Sequence, residues 1–285
     1  MNKSKIQNSK SKIKIGCQGW NYADWTTPAA GDTVFYPRGT RSQEMLEIYS
    51  KAFETVEVDS SFYAVPAIST LENWHRKTPD NFVFSLKLPQ EITHTLGLEK
   101  NSFDRLHEFC EAVGTLKEKL GVILIQLPPQ FSATNESTKI LQTFLGELPP
   151  KIRFAVEFRD RGWFDAHIFE MLAKRNVALC LTEGSWIPRA TIVHAAAERT
   201  ADFAYVRFMG ERDLTRFDEV QRAQNTNLRL WSDLLQDVTA NRPETFVYFS
   251  NFYEGFAPAS SNKLKEMIGQ EAINFANLET QTSLF

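Results

Sequence analysis

The sequence predicts an α/β protein built as a single closed (β/α)8 barrel of the TIM type, and three observations lead to this prediction. Eight short runs rich in β-branched and aromatic residues recur along the 285 residues. Helical patterns lie between most of these runs. No Pro-, Gly- or Ser-rich linker divides the chain. A doubly wound open sheet is the alternative, but the count of eight favours a closed barrel.

The predicted strands are short and apolar on at least one face. In chain order they are IKIGCQG, TVEVDS, FVFSLKL, GVILIQL, IRFAVEF, VALCLT, FAYVRFM and TFVYFS. Apolar residues that recur every three or four positions predict helices in SQEMLEIYSKAF, SFDRLHEFCEAVGTLKEKL, STKILQTFLGEL, DAHIFEMLAKRN, NLRLWSDLLQDVTAN and APASSNKLKEMIG. The segment IPRATIVHAAAERTADF predicts only a short or irregular sixth helix.

Composition sets the domain boundaries and excludes several classes of partner. We expect a disordered basic tail at 1–12, one barrel domain at 13–270 and a C-terminal extension at 271–285. A net charge of −3 gives no general attraction to nucleic acid or to anionic membranes. No apolar run approaches the roughly 20 residues of a membrane helix. Three widely spaced cysteines predict a reduced compartment, so we expect a cytoplasmic protein.

Charged residues alternate with apolar ones on several predicted strands, although parallel strands are usually hydrophobic throughout. Glu57 and Asp59, for example, alternate with Val56 and Val58. Because the apolar set must pack against the helices, we predict that the polar set lines the lumen. Most of it falls near the carboxyl ends of the strands, where barrel enzymes have their sites. This set comprises Glu57, Asp59, Lys87, Gln126, Glu157, Arg159, Tyr205 and Arg207.

The ends of the strands and the loops that follow add aromatic and polar side chains at the same end of the barrel. The candidate ligand-binding residues among them are Gln18, Trp20, Phe62, Tyr63, His94, Trp163, Asn251 and Tyr253. Aromatic walls around polar groups are typical of sites for sugars, nucleosides and other ring-bearing polar ligands. The structural alternative is that the aromatics close the barrel end and the charges form a salt-bridge network.

Taken together, these stretches resemble the YecE-like family, the domain of unknown function 72. The resemblance covers roughly residues 13 to 270 and rests, in the family's order, on IGCQGWNYADW, FYP, TVEVDSSFYAVP, the tryptophan of LENWHRKTP, FSLKLPQEITH, GVILIQLPPQF, AVEFRDRGWF, FAYVRFMG and YFSNFYEGFAPASSNKL. It implies a (β/α)8 barrel and no assigned reaction. Gln18, Glu183 and Ser250 depart from residues that the family often has at these positions.

The charged set is compatible with acid/base catalysis on a small polar or anionic molecule. Glu57 and Lys87, which we expect at similar depth on adjacent strands, are candidate catalytic residues together with Glu157. A carboxylate beside an ammonium suits Glu57 as a general base. Arg159 and Arg207 suit a bound carboxylate or phosphate. The predicted enzyme has no assigned reaction class, with isomerase, lyase and hydrolase chemistry open, and we expect no cofactor.

Two other functions remain open from the sequence. In a metal-dependent phosphodiesterase or nucleic-acid-processing barrel, Glu57, Asp59 and Glu157 would hold a hard cation such as Mg²⁺. The adjacent cationic side chains argue against this interpretation, so we expect no metal and no nucleic-acid partner. In a non-catalytic small-anion-binding protein, the same residues would recognise the ligand without turnover.

Overall fold

Eight parallel strands close into one barrel in the order β1 to β8, and β8 pairs with β1. This computed structural model describes residues 12–28, 34–240 and 242–280. The strands are β1 Lys12–Gln18, β2 Thr55–Val58, β3 Val83–Lys87, β4 Leu120–Gln126, β5 Arg153–Glu157, β6 Ala178–Glu183, β7 Phe203–Phe208 and β8 Glu244–Phe249. The predicted closed barrel is confirmed, and the open doubly wound sheet is wrong.

Helices follow the strands around the outside of the barrel. They are α1 Ser42–Ala52, α2 Ile68–Lys77, α3 Phe103–Val113, α4 Asn135–Glu147, α5 Ala166–Ala173, α6 Arg189–Ala195, α7 Asn225–Thr239, α8 Asn251–Glu254, α9 Ala257–Met267 and α10 Asn277–Thr280. The sixth helix has seven residues, as its weak pattern predicted. The helix predicted through Leu120 is too long, because Gly114–Lys119 forms a 3-10 segment in which Lys117 has a φ of 51°.

The structure describes only parts of the two predicted terminal segments. The predicted basic tail lies outside the described residues except for Lys12, which begins β1. Within the predicted C-terminal extension, the ring of Phe275 lies 5.1 Å from that of Phe35, and Leu278 is buried. In the described ranges, no helix combines the length and the apolar character needed to cross a membrane.

The strands separate two hydrophobic clusters, as the alternation of side chains predicted. The outer cluster packs strand residues such as Val56, Val156 and Val206 against the helices. The inner cluster fills the lumen with residues such as Leu124 and Tyr205. Side chains at alternate positions of a strand point to opposite faces. The polar residues that alternate with the outer cluster therefore face the lumen.

The approach of β1 to β2 requires a glycine at position 16. A Cβ there would lie 2.1 Å from the carbonyl oxygen of Thr55. The hydroxyl of Tyr49 donates to that oxygen at 3.0 Å and accepts from the backbone N–H of Cys17 at 2.8 Å. At the carboxyl ends of the same two strands, the register pairs Gln18 with Glu57.

The lumen changes in character along the barrel axis. At its amino end, the guanidinium of Arg153 donates to Glu244 at 2.5 Å. In the middle, the hydroxyl of Tyr248 shares hydrogen bonds with the hydroxyls of Thr55 at 2.7 Å and Ser85 at 2.8 Å. Charged side chains return at the carboxyl end, where the loops of the barrel open.

Candidate functional site

A group of charged side chains lies at the carboxyl end of the lumen, and we refer to it as the rim cluster. Its members are Glu57, Asp59, Lys87, Glu157, Arg159 and Arg207. They come from the ends of β2, β3, β5 and β7, or directly after them. Because the strands are parallel and close into one ring, their carboxyl ends meet at this end of the barrel. The fold thus brings together the charged residues that the sequence predicted for this end.

Arg207 on β7 is the centre of the rim cluster and is only 1% exposed. Its Nε and Nη2 donate to Oε1 of Glu57 at 3.0 and 2.7 Å, and its Nη1 donates to Oε2 of Glu157. Nη2 also lies 3.6 Å from Oδ1 of Asp59. One guanidinium therefore joins carboxylates from two other strands and a loop, which offsets part of the cost of burying these charges.

The remaining oxygens of the two glutamates are also hydrogen-bonded. The hydroxyl of Tyr205 donates to Oε2 of Glu57 at 2.6 Å. Nε of Arg159 donates to Oε1 of Glu157 at 3.1 Å. Both carboxylates are thus satisfied within the protein, and they form a fixed base beneath the opening of the barrel.

The two glutamates have opposite pKa shifts. Burial raises the pKa of Glu57 to about 7, with a contribution from Asp59, although Arg207 opposes the shift. Burial would also raise the pKa of Glu157, but Arg207 and Arg159 together outweigh it and lower this pKa to about 2. Two carboxyl groups that share one arginine thus differ in proton affinity, an arrangement typical of acid/base sites.

Lys87 lies at the end of β3 and is 7% exposed. Its Nζ lies 3.8 Å from the centroid of the Phe62 ring. Within the described part of the chain, this ammonium makes neither a hydrogen bond nor an ion pair. Burial and the positive charge of Arg207 lower the pKa of Lys87 to about 8, against the attraction of three carboxylates of the rim cluster. Nζ of Lys87 nevertheless keeps access to solvent, and without an acceptor among the described residues it is available to a ligand.

Glu57 and Lys87 lie on adjacent strands at the carboxyl end of the lumen. The register pairs Glu57 with Ser85, two residues before Lys87. Lys87 is 7% exposed, whereas Glu57 is fully buried. The hydroxyl of Ser61 donates to the carbonyl oxygen of Lys87 at 2.7 Å and accepts from its backbone N–H at 3.1 Å. These bonds fix the loop after β2 to the end of β3.

Asp59 begins this loop and is partly exposed, with 41% of its side chain accessible. Its Oδ1 is nevertheless buried and accepts no hydrogen bond from any described residue. Oδ2 keeps solvent access and makes no hydrogen bond with a described residue, so it can accept one from a ligand. Asp59 and Lys87 thus offer an acceptor and a donor at the same end of the barrel.

Aromatic rings surround the opening. The Phe62 ring lies 5.1 Å from His94 and 5.2 Å from Tyr63, and Tyr63 is 68% exposed. Burial and the positive charges nearby lower the pKa of His94. Trp186, which the sequence did not single out, lies 5.1 Å from the guanidinium carbon of Arg159 and is 49% exposed.

Three predicted polar residues lie at the carboxyl end with contacts inside the protein. The amide of Gln18 donates to Sδ of Met209 at 3.0 Å, and the amide of Gln126 donates to the carbonyl of Leu127 at 2.7 Å. Oδ1 of Asn251 accepts from the N–H of Ala257 at 3.0 Å, where α9 begins. These contacts are structural, although Nδ2 of Asn251 lacks a partner among the described residues.

Three predicted aromatic residues lie elsewhere. Trp163 is fully buried in the outer cluster, stacked with Phe131 at 5.4 Å and Phe158 at 5.0 Å. Tyr253 lines a separate cavity of about 370 Å³ near the end of β6. Trp20 lines a cavity of about 500 Å³ between α1 and α2. The structure thus disperses part of the predicted aromatic set.

The carboxylates of the rim cluster are already engaged by cations. Glu57 and Glu157 both accept hydrogen bonds from Arg207, so a metal ion would have to compete with this guanidinium. Across the described residues, no group of three or more His, Cys, Asp or Glu side chains is arranged to hold a metal.

Several known proteins are similar to this chain over most of its length. UPF0759 protein YunF of Bacillus subtilis is 28% identical, and the alignment covers 91% of this chain and 95% of that protein. UPF0759 protein YecE of Escherichia coli K12 is 25% identical, with 77% of this chain and 82% of that protein covered.

Solved structures with the same fold include two DUF72 family proteins. The one from Thermotoga maritima aligns with a TM-score of 0.74 and 24% identity, over 90% of this chain and 99% of that chain. The one from Enterococcus faecalis aligns with a TM-score of 0.70 and 17% identity, over 92% and 97%. At these identities the likeness supports the fold alone. The family model described as "Protein of unknown function DUF72" matches residues 14–283, so the chain belongs to the DUF72 family.

Proposed function

We propose that this protein is an enzyme that acts on a small polar or anionic molecule by acid/base chemistry at the rim cluster. The observation that carries the proposal is Lys87, whose side chain is largely buried while its Nζ keeps solvent access and has no hydrogen-bonding partner in the described structure. A salt-bridge network that served stability alone would pair its charges with one another. Lys87 instead presents an accessible ammonium that a ligand can engage.

The proposed roles follow the depth of each residue. Lys87 contacts the ligand, donates a proton or stabilises developing negative charge, and its pKa of about 8 suits proton transfer near neutral pH. Glu57 is fully buried and both of its oxygens are hydrogen-bonded, so it does not contact the ligand. It acts through the electrostatic attraction between its carboxylate and the ammonium of Lys87. Glu157 holds Arg207 and Arg159 in place.

The ligand must complement the groups that the protein leaves unsatisfied. A carboxylate, phosphate or carbonyl oxygen would accept a hydrogen bond from Lys87, and a hydroxyl or amine would donate to Asp59. Arg159 uses only its Nε in hydrogen bonds with described residues, so its remaining donors add capacity for an anion.

A second candidate role is that Lys87 forms a Schiff base with a carbonyl substrate. Its lowered pKa, its burial and the neighbouring Arg207 are features that activate lysine as a nucleophile. In this step the neutral amine attacks the carbonyl carbon, a C=N bond forms and water leaves. Reduction with borohydride in the presence of an aldehyde or ketone substrate would then attach the substrate to Lys87, detectable by mass spectrometry.

We propose a cytoplasmic location with no membrane or nucleic-acid partner. The proposal is supported by the net charge of −3 and by Cys17, Cys110 and Cys180, which are all free thiols and buried.

A thermal-shift screen with sugars, sugar phosphates, nucleotides and organic acids tests the proposal, followed by NMR assays of turnover for each compound that binds. We expect a ligand that stabilises the wild type and the exposed control Lys151→Met but not Lys87→Met, with turnover lost in Lys87→Met. Binding without turnover would indicate a small-anion-binding protein. If Lys87→Met binds and reacts like the wild type, the proposed role of Lys87 is wrong.

A further inference from the structure

We infer that the ligand carries a neutral, sugar-like ring that binds in the cavity between α1 and α2, beside the rim cluster. This inference rests on the proposed function, because it names the class of molecule that the same site takes. The cavity has a volume of about 500 Å³, which falls within the range of small-molecule sites.

Two tryptophans form a right-angled corner in this cavity. Trp20 and Trp74 both line it, and their ring centroids lie 5.2 Å apart at an interplanar angle of 89°. Trp74 is in turn stacked on Phe84 at 5.7 Å, which fixes its orientation. A flat nucleobase is best held in a slot between parallel rings. A corner instead suits a thicker saturated ring, whose apolar C–H surface can be buried against it.

The polar lining matches the hydroxyl groups of a sugar. Amides and hydroxyls can each donate and accept hydrogen bonds, as sugar hydroxyls do. The amide and hydroxyl side chains among the lining residues are those of Asn21, Tyr22, Ser42, Gln43, Ser60 and Asn73.

The charge of the cavity favours a neutral ring. Among the residues that line it, Asp59 and Lys77 carry charges, and these are opposite in sign. Nζ of Lys77 also donates to the carbonyl oxygen of Gln43 at 2.6 Å, so part of its hydrogen-bonding capacity is used. An anionic ring would find no excess of positive charge here.

Asp59 connects this cavity to the rim cluster. It lines the cavity, and its Oδ1, which accepts no hydrogen bond from a described residue, lies 3.6 Å from Nη2 of Arg207. The loop that carries Trp20 begins where the N–H of Gly19 donates to the carbonyl oxygen of Glu57 at 2.8 Å. One molecule would thus place its ring in the cavity and a hydroxyl on the accessible Oδ2 of Asp59, with its reacting end at the rim cluster.

Saturation-transfer NMR and tryptophan fluorescence test the inference with neutral probes. The probes are D-glucose, D-galactose, D-xylose and their methyl glycosides, compared with inorganic phosphate, citrate and D-glucose 6-phosphate. We expect neutral sugars to bind the wild type, and Asn73→Ala to bind them about tenfold more weakly because a hydrogen bond is lost. Glu72→Ala, an exposed neighbour on α2, is the matched control and should bind normally.

Lys87→Met separates this inference from the proposed function. We expect it to retain the binding of neutral sugars and to lose the binding of anionic compounds and all turnover. If anions bind through Lys87 while neutral sugars do not bind, and Asn73→Ala has no effect on any probe, the sugar-like ring is wrong and the proposed function stands. If no probe binds and no compound of the wider screen depends on Lys87, both proposals fail.

Discussion

The charged side chains at the two ends of the barrel lumen differ in how they are paired and in how deeply they are buried. At the amino end, Arg153 pairs with Glu244, their side chains being 33% and 29% exposed, and Lys14 pairs with Glu54, whose side chain is 47% exposed. At the carboxyl end, Arg207 and its two glutamate partners are almost completely buried. The carboxylate of each of these amino-end pairs is therefore solvated, as expected for a structural ion pair.

The carboxyl end differs in more than burial. It also holds charged groups that make no hydrogen bond with a described residue, namely the ammonium of Lys87 and the carboxylate of Asp59, which lies 3.6 Å from Arg207. Replacing a buried ion network by hydrophobic residues is often neutral or stabilising. If the proposed function is right, the carboxyl end keeps these groups for a ligand at a cost in stability, whereas the amino end serves the fold.

The largest expected effect comes from removing the central arginine of each end. Arg207→Met leaves two glutamates buried without their shared cation and should lower the free energy of unfolding by about 3–5 kcal/mol. Arg153→Met, the matched control, should cost about 1 kcal/mol or less because its partner can be solvated. Urea unfolding of the two variants measures the difference. If the two substitutions lower the free energy of unfolding by the same amount, the proposed difference between the two ends is wrong.

The second prediction concerns two buried lysines. Because the folded state lowers the pKa of Lys87 from 10.5 to about 8, its ammonium is penalised by folding at neutral pH. Lys87→Met should therefore raise the free energy of unfolding at pH 7 by roughly 2–3 kcal/mol. This gain should shrink as the pH rises from about 8 to 10.5, where the penalty on the wild type disappears.

Lys119 is the control for this prediction. It is 2% exposed, but its Nζ donates to the carbonyl oxygens of His75 at 2.6 Å and Thr78 at 2.7 Å. Lys119→Met leaves these acceptors unpaired and should lower stability by about 1–3 kcal/mol. A stability loss in Lys87→Met of the same size would show that Lys87 is a structural residue.

The third prediction separates the two glutamates by pH. A raised pKa means that Glu57 contributes stability below pH 4.5 that is lost as the pH rises through about 7. Relative to Glu57→Gln, the wild type should thus lose roughly 3 kcal/mol over this interval. Glu157 has a lowered pKa, so relative to Glu157→Gln the wild type should lose stability as the pH falls from 4.5 towards 2. If the stability of the wild type relative to each Gln variant changes with pH in the same direction for both glutamates, the opposite pKa shifts are wrong.

The smallest expected effect concerns two lumen tyrosines. Tyr205→Phe removes the donor to Glu57 and should cost about 1 kcal/mol, while the pKa of Glu57 rises further. Tyr248→Phe, one layer deeper, removes the hydroxyl between Thr55 and Ser85 at a similar cost. It should leave the titration of Glu57 nearly unchanged. The carboxyl resonance of Glu57 in NMR distinguishes the two variants.

The fold was predictable because it depends on patterns that are local in sequence. Eight apolar runs and the helices between them predicted the barrel, and strict alternation predicted which face of each strand carries Glu57, Lys87 and Arg207. These inferences do not depend on the register between neighbouring strands.

The geometry of the site depended on information that is not local. The relative depth of Glu57 and Lys87 follows from the register between β2 and β3, which alternation alone does not determine. Loop residues have no periodicity, so Trp163 was expected at the opening but packs in the outer cluster. Trp74 belonged to the family resemblance but was not predicted as a site residue, because the sequence predicted no element over Ile68–Lys77 that would place it beside Trp20.

The central claim is tested most directly by titrating Lys87 itself. Lysines labelled with ¹³C at Cε and ¹⁵N at Nζ would be followed by NMR from neutral to alkaline pH, and the resonance missing from Lys87→Met would identify the residue. A pKa near 8 in the ligand-free protein is the predicted result. A pKa at or above 10.5 would contradict the account, because it would mean that Lys87 is solvated or already paired.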